Sequence, residues 1–515
     1  MLRERAIQDQ AADALPAKGA GKAIVSEAAR PSPDAERTRL IFCLVAAAIM
    51  AAALFALAAS MLKDPDSWWH IKVGLDLLES HTFPTVDIYS HTFAGHPWIA
   101  KEWLAQLVFA LAYEAAGWNG VVFATVAAVS LTVFLIAWYL SASLKPIVAI
   151  GLTFLLAFLA SPVFIARPHV FTLPIIVVWT ACLFRAARTE QAPPFPLLAL
   201  LCLWANLHAT FTLGYVIAAF AGLDFLARTG LSKPRLLALW VAFGVLCPLV
   251  SLLNPYGVHA ILATFTVAYG NEAVSQIVEW QPFNAAEDRF QEAALLAALF
   301  ALLVSRLRIG WAAAAFLVFT LHLYLVHARF SYLFFLLVPI VLAPEVARQY
   351  PLISVRRWAA QKRDGLEQLF ATQFRVVSGA IAVLLVVASA AFLAAPEIVP
   401  SQKTSAADAL AFARSRNLTG NVLNSYGFGG TLIFHGFKTF IDGRTDQLFL
   451  DGFSSADDRM GESDGKPVLV ESLEKYRIGW ALLSAGDRRI PFFNELAGWN
   501  RLYADEYAVI YVRRG

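Results

Sequence analysis

The sequence predicts a polytopic α-helical membrane protein with one water-soluble α/β domain at its C-terminus, and three observations lead there. Of the 515 residues, 58% are hydrophobic and 15% charged, where an ordinary soluble chain has about 25% charged residues. Apolar runs long enough to cross about 30 Å of hydrocarbon recur along the chain as far as residue 396. Beyond that point short β-type runs alternate with helical ones such as Ala406 to Ser415, the pattern of a small α/β domain.

Residues 1–38 are rich in Ala, Lys, Arg, Glu and Pro and read as a disordered tail. A secretory signal is not expected, because no apolar core lies near the start. Leu40 to Leu62 is the first span, and about ten more follow near 119–141, 146–163, 170–187, 195–211, 212–228, 236–253, 290–305, 310–327, 329–345 and 374–396, about eleven in all. Trp103 to Ala116 is short and amphipathic and is assigned to the membrane surface. Basic residues fall in every second loop, at Lys145, Arg185 with Arg188, Arg228 to Arg235, Arg306 with Arg308, and Arg348 to Arg363. Positive loops face the cytoplasm, which places the N-terminal tail inside a cytoplasmic membrane and segments 63–118 and 397–515 outside. The expected divisions are thus a tail, 1–38, a membrane domain, 39–396, and an extracytoplasmic domain, 397–515.

Several function classes drop out. A net charge of +3, spread in short clusters, does not suit nucleic acid. Cys43, Cys182, Cys202 and Cys247 sit in apolar runs without metal-ligand spacing and read as small buried hydrophobes. There is no phosphate-cradling loop, no dinucleotide glycine fingerprint and no internal repeat.

The unusual polar residues concentrate in the outer segments. Asp64 and Asp66 leave the membrane directly after the first span, and Trp68, Trp69 and Ile71 are placed to lie on the bilayer surface. Carboxylate oxygens suit hard cations, so a magnesium or manganese ion on Asp66 could neutralise the phosphate of a lipid-linked substrate. His169, beside Arg167, is a second candidate ligand, although a lone interfacial histidine is more often structural. Arg329, in His327-Ala328-Arg329-Phe330, stands where an outer helix end meets the next span; an arginine there snorkels or faces a polar cavity, and its fork fits a phosphate.

The string Asp66-Ser67-Trp68-Trp69-His70-Ile71-Lys72, with Phe83, Pro84 and Asp87 downstream, resembles the first outer loop of the oligosaccharyltransferase catalytic subunit, notably its archaeal form. That family belongs to the GT-C class of membrane glycosyltransferases, which use polyprenyl-phosphate-linked sugars. The resemblance implies that Asp66 binds the metal and acts on the acceptor. It implies an active-site role for Glu279, in Val278-Glu279-Trp280-Gln281-Pro282, and a donor-phosphate role for Arg329. The loop around Ser161, Arg167, Pro168 and His169 takes the place of a family loop whose acidic metal ligands are missing here.

In the C-terminal segment, Asn421 to Gly430 and a β-rich run through Phe434 stand where the family carries a W-W-D-Y-G motif. Asn424, Ser425 and Tyr426 replace its acceptor-reading tryptophan and aspartate, so transfer to a protein asparagine is not expected. Gly427, Gly429 and Gly430 read as a tight turn with positive φ, and Asp442 with Arg444 as a structural ion pair. Asp64, His70, Asp87, Glu102, Arg167 and Tyr426 complete the candidate site. The expected activity is transfer of a sugar from a polyprenyl-phosphate donor to an extracytoplasmic acceptor. Two other readings stay open: a non-catalytic GT-C-like protein that binds lipid-linked glycans in envelope polysaccharide assembly, and a transporter.

Overall fold

Ser32 accepts a hydrogen bond from the Ala35 amide and Pro33 occupies the first turn, so the first helix, Pro33–Ala56, begins there. The computed structural model describes residues 32–268, 280–362 and 365–514. Residues 33–38 are therefore helical, a correction to the tail boundary drawn from composition; the rest of that tail lies outside the described residues.

Among the described residues, eight helices are long and apolar enough to cross a membrane, from Pro33–Ala56 to Phe374–Leu393. The chain is a multi-pass membrane protein. Three of the expected spans form shorter helices, Leu197–Leu207, Arg289–Val304 and Trp311–Val326. The basic loops share one face: Leu144 pairs with Ser354, Arg308 bonds Gln349, Arg228 meets Glu345 and Lys233 meets Glu190. At the other ends of the helices, the Ala166 amide donates to Met61 O, Ser67 to Ala166 O and Asn206 to Leu253 O.

The short run 103–116 is a helix distinct from the span after it: within Trp103–Ser141 two helices meet at a kink at Ala116 and Gly117. Gly117 has φ +57, and a Cβ there would lie 2.1 Å from Glu397 Oε1, the atom that accepts the Trp118 amide at 2.8 Å. Glycine is required there for its dihedral.

The first loop forms a helix, Asp66–Ser80. Trp68, Trp69 and Ile71 are 6%, 8% and 0% exposed, so they do not lie on the bilayer as their amphipathic spacing suggested. They are buried in protein instead, with the Trp68 ring 4.5 Å from Trp118 and 4.9 Å from Phe434. A second close approach sets the crossing with Trp103–Ser141: a Cβ on Gly74 would lie 2.2 Å from Gln106 O.

The C-terminal segment holds a four-stranded sheet of β1 (Asn421–Asn424), β2 (Ile478–Ser484), β3 (Trp499–Ala504) and β4 (Ala508–Arg513). Its order is β1-β2-β4-β3, with β1 parallel to β2 and the other pairs antiparallel. The run through Phe434 is not β: after β1 the chain makes a single turn at Tyr426–Phe428 and a helix, Gly429–Phe434. Its glycines do not have positive φ either. They permit contact, since a Cβ on Gly430 would lie 2.3 Å from Pro65 O and one on Gly429 2.5 Å from the Asp442 Cβ.

The first loop and this domain are joined by paired backbone and charge. Ser90 pairs with Thr439, and Thr92 donates to Phe440 O at 2.7 Å. Arg444, 0% exposed, donates to Asp442 Oδ1 and Oδ2 at 2.7 Å each and to Asp87 Oδ1 at 2.5 Å. A buried guanidinium with two carboxylates stabilises only while all three charges are present. Arg444→Ala is expected to cost about 3–5 kcal/mol by leaving two buried acids unpaired, seen as a lowered melting temperature of the detergent-solubilised protein. An unchanged melting curve would show the cluster to be dispensable.

Candidate functional site

Between the membrane helices and the C-terminal domain lies a cavity of about 570 Å³, inside the range of about 300–1,000 Å³ usual for ligand pockets. The first-loop helix contributes Asp66, Trp69 and His70; the start of the short helix that begins at Trp103 contributes Lys101, Glu102 and Gln106. Arg167, His169, His208, Trp280, His327 and Arg329 come from the ends of other helices, and Tyr426, Gly443 and Asp446 from the C-terminal domain. Of the candidates read from sequence, the structure brings together Asp66, His70, Glu102, Arg167, His169, Arg329 and Tyr426. Asp87 does not line the cavity; it is held by Arg444. Glu279 lies outside the described residues.

Asp64 and Asp66 flank the start of the first-loop helix and share one cation. Arg167 Nε is 2.8 Å from Asp64 Oδ2, and its Nη2 donates to Asp66 Oδ2. The second Asp64 oxygen accepts the Asp66 amide at 2.8 Å. Over the other Asp66 oxygen lies Gly443, where a Cβ would sit 1.8 Å from Oδ1.

Among the described residues, the acids expected to hold a metal have other partners: Asp64 and Asp66 are engaged by Arg167, and Asp66 is also overlaid by Gly443. Nε2 of His169 lies 2.8 Å from Val163 O, which can only accept, so that nitrogen carries the proton and Nδ1 is the one able to ligate. No group of three or more His, Cys, Asp or Glu side chains is placed to hold a metal among the described residues.

Glu102 has different surroundings. It precedes the short helix that begins at Trp103, and Trp103 Nε1 donates to Asn206 Oδ1 at 2.9 Å, which keeps this helix start against the 206–208 turn. His208 Nε2 is then 3.0 Å from Glu102 Oε1, and His70 Nε2 is 3.8 Å from Oε2. Both imidazoles have their proton on Nε2. The His208 Nδ1 accepts the Thr210 amide, and the His70 Nδ1 accepts from the Gln106 amide nitrogen.

Burial holds both histidines well below their usual range and therefore neutral, so these are contacts of a carboxyl with neutral rings. Burial also pushes Glu102 up to about 7, opposed first by Lys101. Lys101 itself is paired with Asp446. Tyr426 is raised, mainly by burial and then by Asp66.

At the edge formed by Trp280–Phe330, the Arg329 guanidinium stands 4.6 Å over the Trp280 ring, a cation–π contact. His208, Gln106, Lys101, Gly443 and Asp446 were not singled out from sequence. The usable signal was polar side chains within apolar runs: Gln106 interrupts Leu104 to Ala112, and His208 ends the run from Leu197.

No family model and no curated protein matches this chain. Solved structures do match, among them the crystal structure of ArnT from Cupriavidus metallidurans bound to undecaprenyl phosphate, with 13% identity and a TM-score of 0.48 over 91% of this chain and 97% of that one.

Arg167→Ala leaves Asp64 and Asp66 as neighbouring acids without their shared cation, at an expected cost of about 3–5 kcal/mol. Adding Asp66→Asn should recover part of the loss, read by unfolding of single and double variants. Strict additivity of the two would show that Arg167 and Asp66 are not coupled.

Proposed function

We propose that this protein is a GT-C-type glycosyltransferase that moves a sugar from a polyprenyl-phosphate donor to a hydroxylated acceptor. One observation carries the reading: acids and guanidinium groups from distant parts of the chain line a single cavity where membrane helices meet a water-soluble domain. An amphiphilic donor needs both environments, lipid for its tail and a polar cavity for its phosphate and sugar. Arg329 and Arg167 supply planar cations whose N–H forks match phosphate oxygens. The basic loops gathered at the opposite helix ends support a cytoplasmic N-terminus and an outward C-terminal domain in the cytoplasmic membrane.

The leaving phosphate gains negative charge as the glycosidic bond breaks, and fixed cations in a cavity of low polarity stabilise that charge. Arg167, already oriented by Asp64 and Asp66, takes the place expected for a divalent metal. Asp66 acts in this reading as the positioning residue for that guanidinium.

The test uses purified protein in proteoliposomes with a panel of polyprenyl-phosphate-linked hexoses, following release of polyprenyl phosphate. Arg329→Ala is expected to raise the donor KM about 10- to 150-fold, the equivalent of a charged hydrogen bond of about 1.5–3 kcal/mol. Chelation with EDTA should leave turnover intact; loss restored by magnesium or manganese would return the metal to the site. Sealed vesicles that move the donor or another solute without cleaving any hexose donor would replace this reading with transport.

A further inference from the structure

We propose that Glu102 is the general base of this cavity, and that the wall it shares with His70, Gln106 and His208 is the subsite for a polyhydroxylated acceptor. The proposal rests on the sugar-transfer reading above and assigns the proton-accepting step within it.

Asp66 and Glu102, two of the acids that line the cavity, are not equivalent. Asp66 is ion-paired to Arg167 on one oxygen and overlaid by Gly443 on the other. A guanidinium partner stabilises the carboxylate and weakens it as a base. Glu102 touches neutral rings instead. One oxygen lies 3.0 Å from the His208 N–H nitrogen, whereas the other has only the longer 3.8 Å approach of His70. The carboxylate is thus oriented with no cation in direct contact among the described residues.

The same wall offers groups suited to a hydroxyl. Among the described residues, Gln106 Oε1 and Trp69 Nε1 are buried without a hydrogen-bond partner, and both residues line the cavity. Buried polar atoms without partners are rare. Gln106 follows Glu102 by one helical turn, its backbone amide donating to Glu102 O at 3.0 Å, and Trp69 precedes His70 in the same lining; a sugar or other polyol carries both donor and acceptor functions on each hydroxyl. Burial raises Glu102 to about 7, where a base works best at neutral pH.

In the step itself, Glu102 takes the proton of the acceptor O–H as that oxygen bonds to the anomeric carbon. The bond from that carbon to the phosphate oxygen breaks with its electron pair, releasing polyprenyl phosphate beside Arg329 and Arg167. Glu102 ends as the neutral acid and returns its proton to water. The charged groups facing it are Lys101, Arg167, Arg329 and Asp446, with His70 and His208 neutral beside it.

The test is cleavage of polyprenyl-phosphate-linked hexoses with water or azide as the nucleophile. Glu102→Gln should slow hydrolysis about 10²–10⁴-fold, while azide, which has no proton to lose, restores cleavage to the wild-type azide rate. Wild-type hydrolysis should fall about tenfold per pH unit below about 7, as protonation removes the base. Glu102→Asp, which keeps the carboxyl, should retain that pH limb at a reduced rate and guards against a folding defect in the glutamine variant, alongside melting curves of both. Undiminished hydrolysis by a folded Glu102→Gln, or a deficit that azide does not restore, overturns the assignment and leaves sugar transfer standing. A wild-type protein that cleaves none of the donors sinks both.

Discussion

Three guanidinium groups, each set between two carboxylates, hold the walls of the cavity in place. Arg444 joins Asp87 to Asp442, Arg167 joins Asp64 to Asp66, and Arg489 joins Asp457 to Asp487. A charge moved out of water is costly unless it is paired and its remaining hydrogen-bond capacity is filled. Each triad therefore has essentially one arrangement, which fixes its neighbours. Arg444 is followed directly by the cavity residues Thr445 and Asp446. Asp487 accepts the Ser425 hydroxyl, next to Tyr426 in the cavity. Asp66 is itself a wall residue.

These triads also show what a single sequence can and cannot reveal. The apolar runs mark most of the long helices because hydrocarbon thickness imposes a minimum length that composition alone meets. Asp66, Arg167 and Arg329 stand out because charge at a helix end near lipid is expensive and therefore conspicuous. The tryptophans of the first loop mislead for the opposite reason: an amphipathic face buried on the bilayer and one buried under another domain have the same spacing. Only the fold shows that Trp68 meets Phe434. His208 and Gln106 were overlooked because each is one polar residue in an apolar run, and their meeting with Glu102 and His70 depends on helix crossings that no local pattern encodes.

Glycine was legible as a type of residue but not as a cause. Gly429 and Gly430 suggest a turn with positive φ, yet they lie in ordinary helical conformation. Their service is steric, letting one helix approach Pro65 O and the Asp442 backbone. Gly443 plays the same part over Asp66, and Gly74 over Gln106. Two of these four contacts, Gly430 on Pro65 and Gly443 on Asp66, lie between the first loop and the C-terminal domain, so these glycines allow the close packing that the buried ion pairs then lock.

That packing explains how two acids in one cavity acquire opposite characters. Lowering the local dielectric strengthens every interaction and raises the cost of every unpaired charge. Where an arginine stands in contact, as at Asp66, the burial favours the charged pair; where neutral imidazole N–H groups stand nearest, as at Glu102, it favours the protonated acid. The imidazoles stay neutral because the same burial penalises their charged form. Their tautomers follow from the Thr210 amide and the Gln106 side chain behind them. The division of labour between the carboxylates is thus set by uncharged backbone and amide groups that fix the imidazole tautomers, and by the arginine in contact with only one of the two acids.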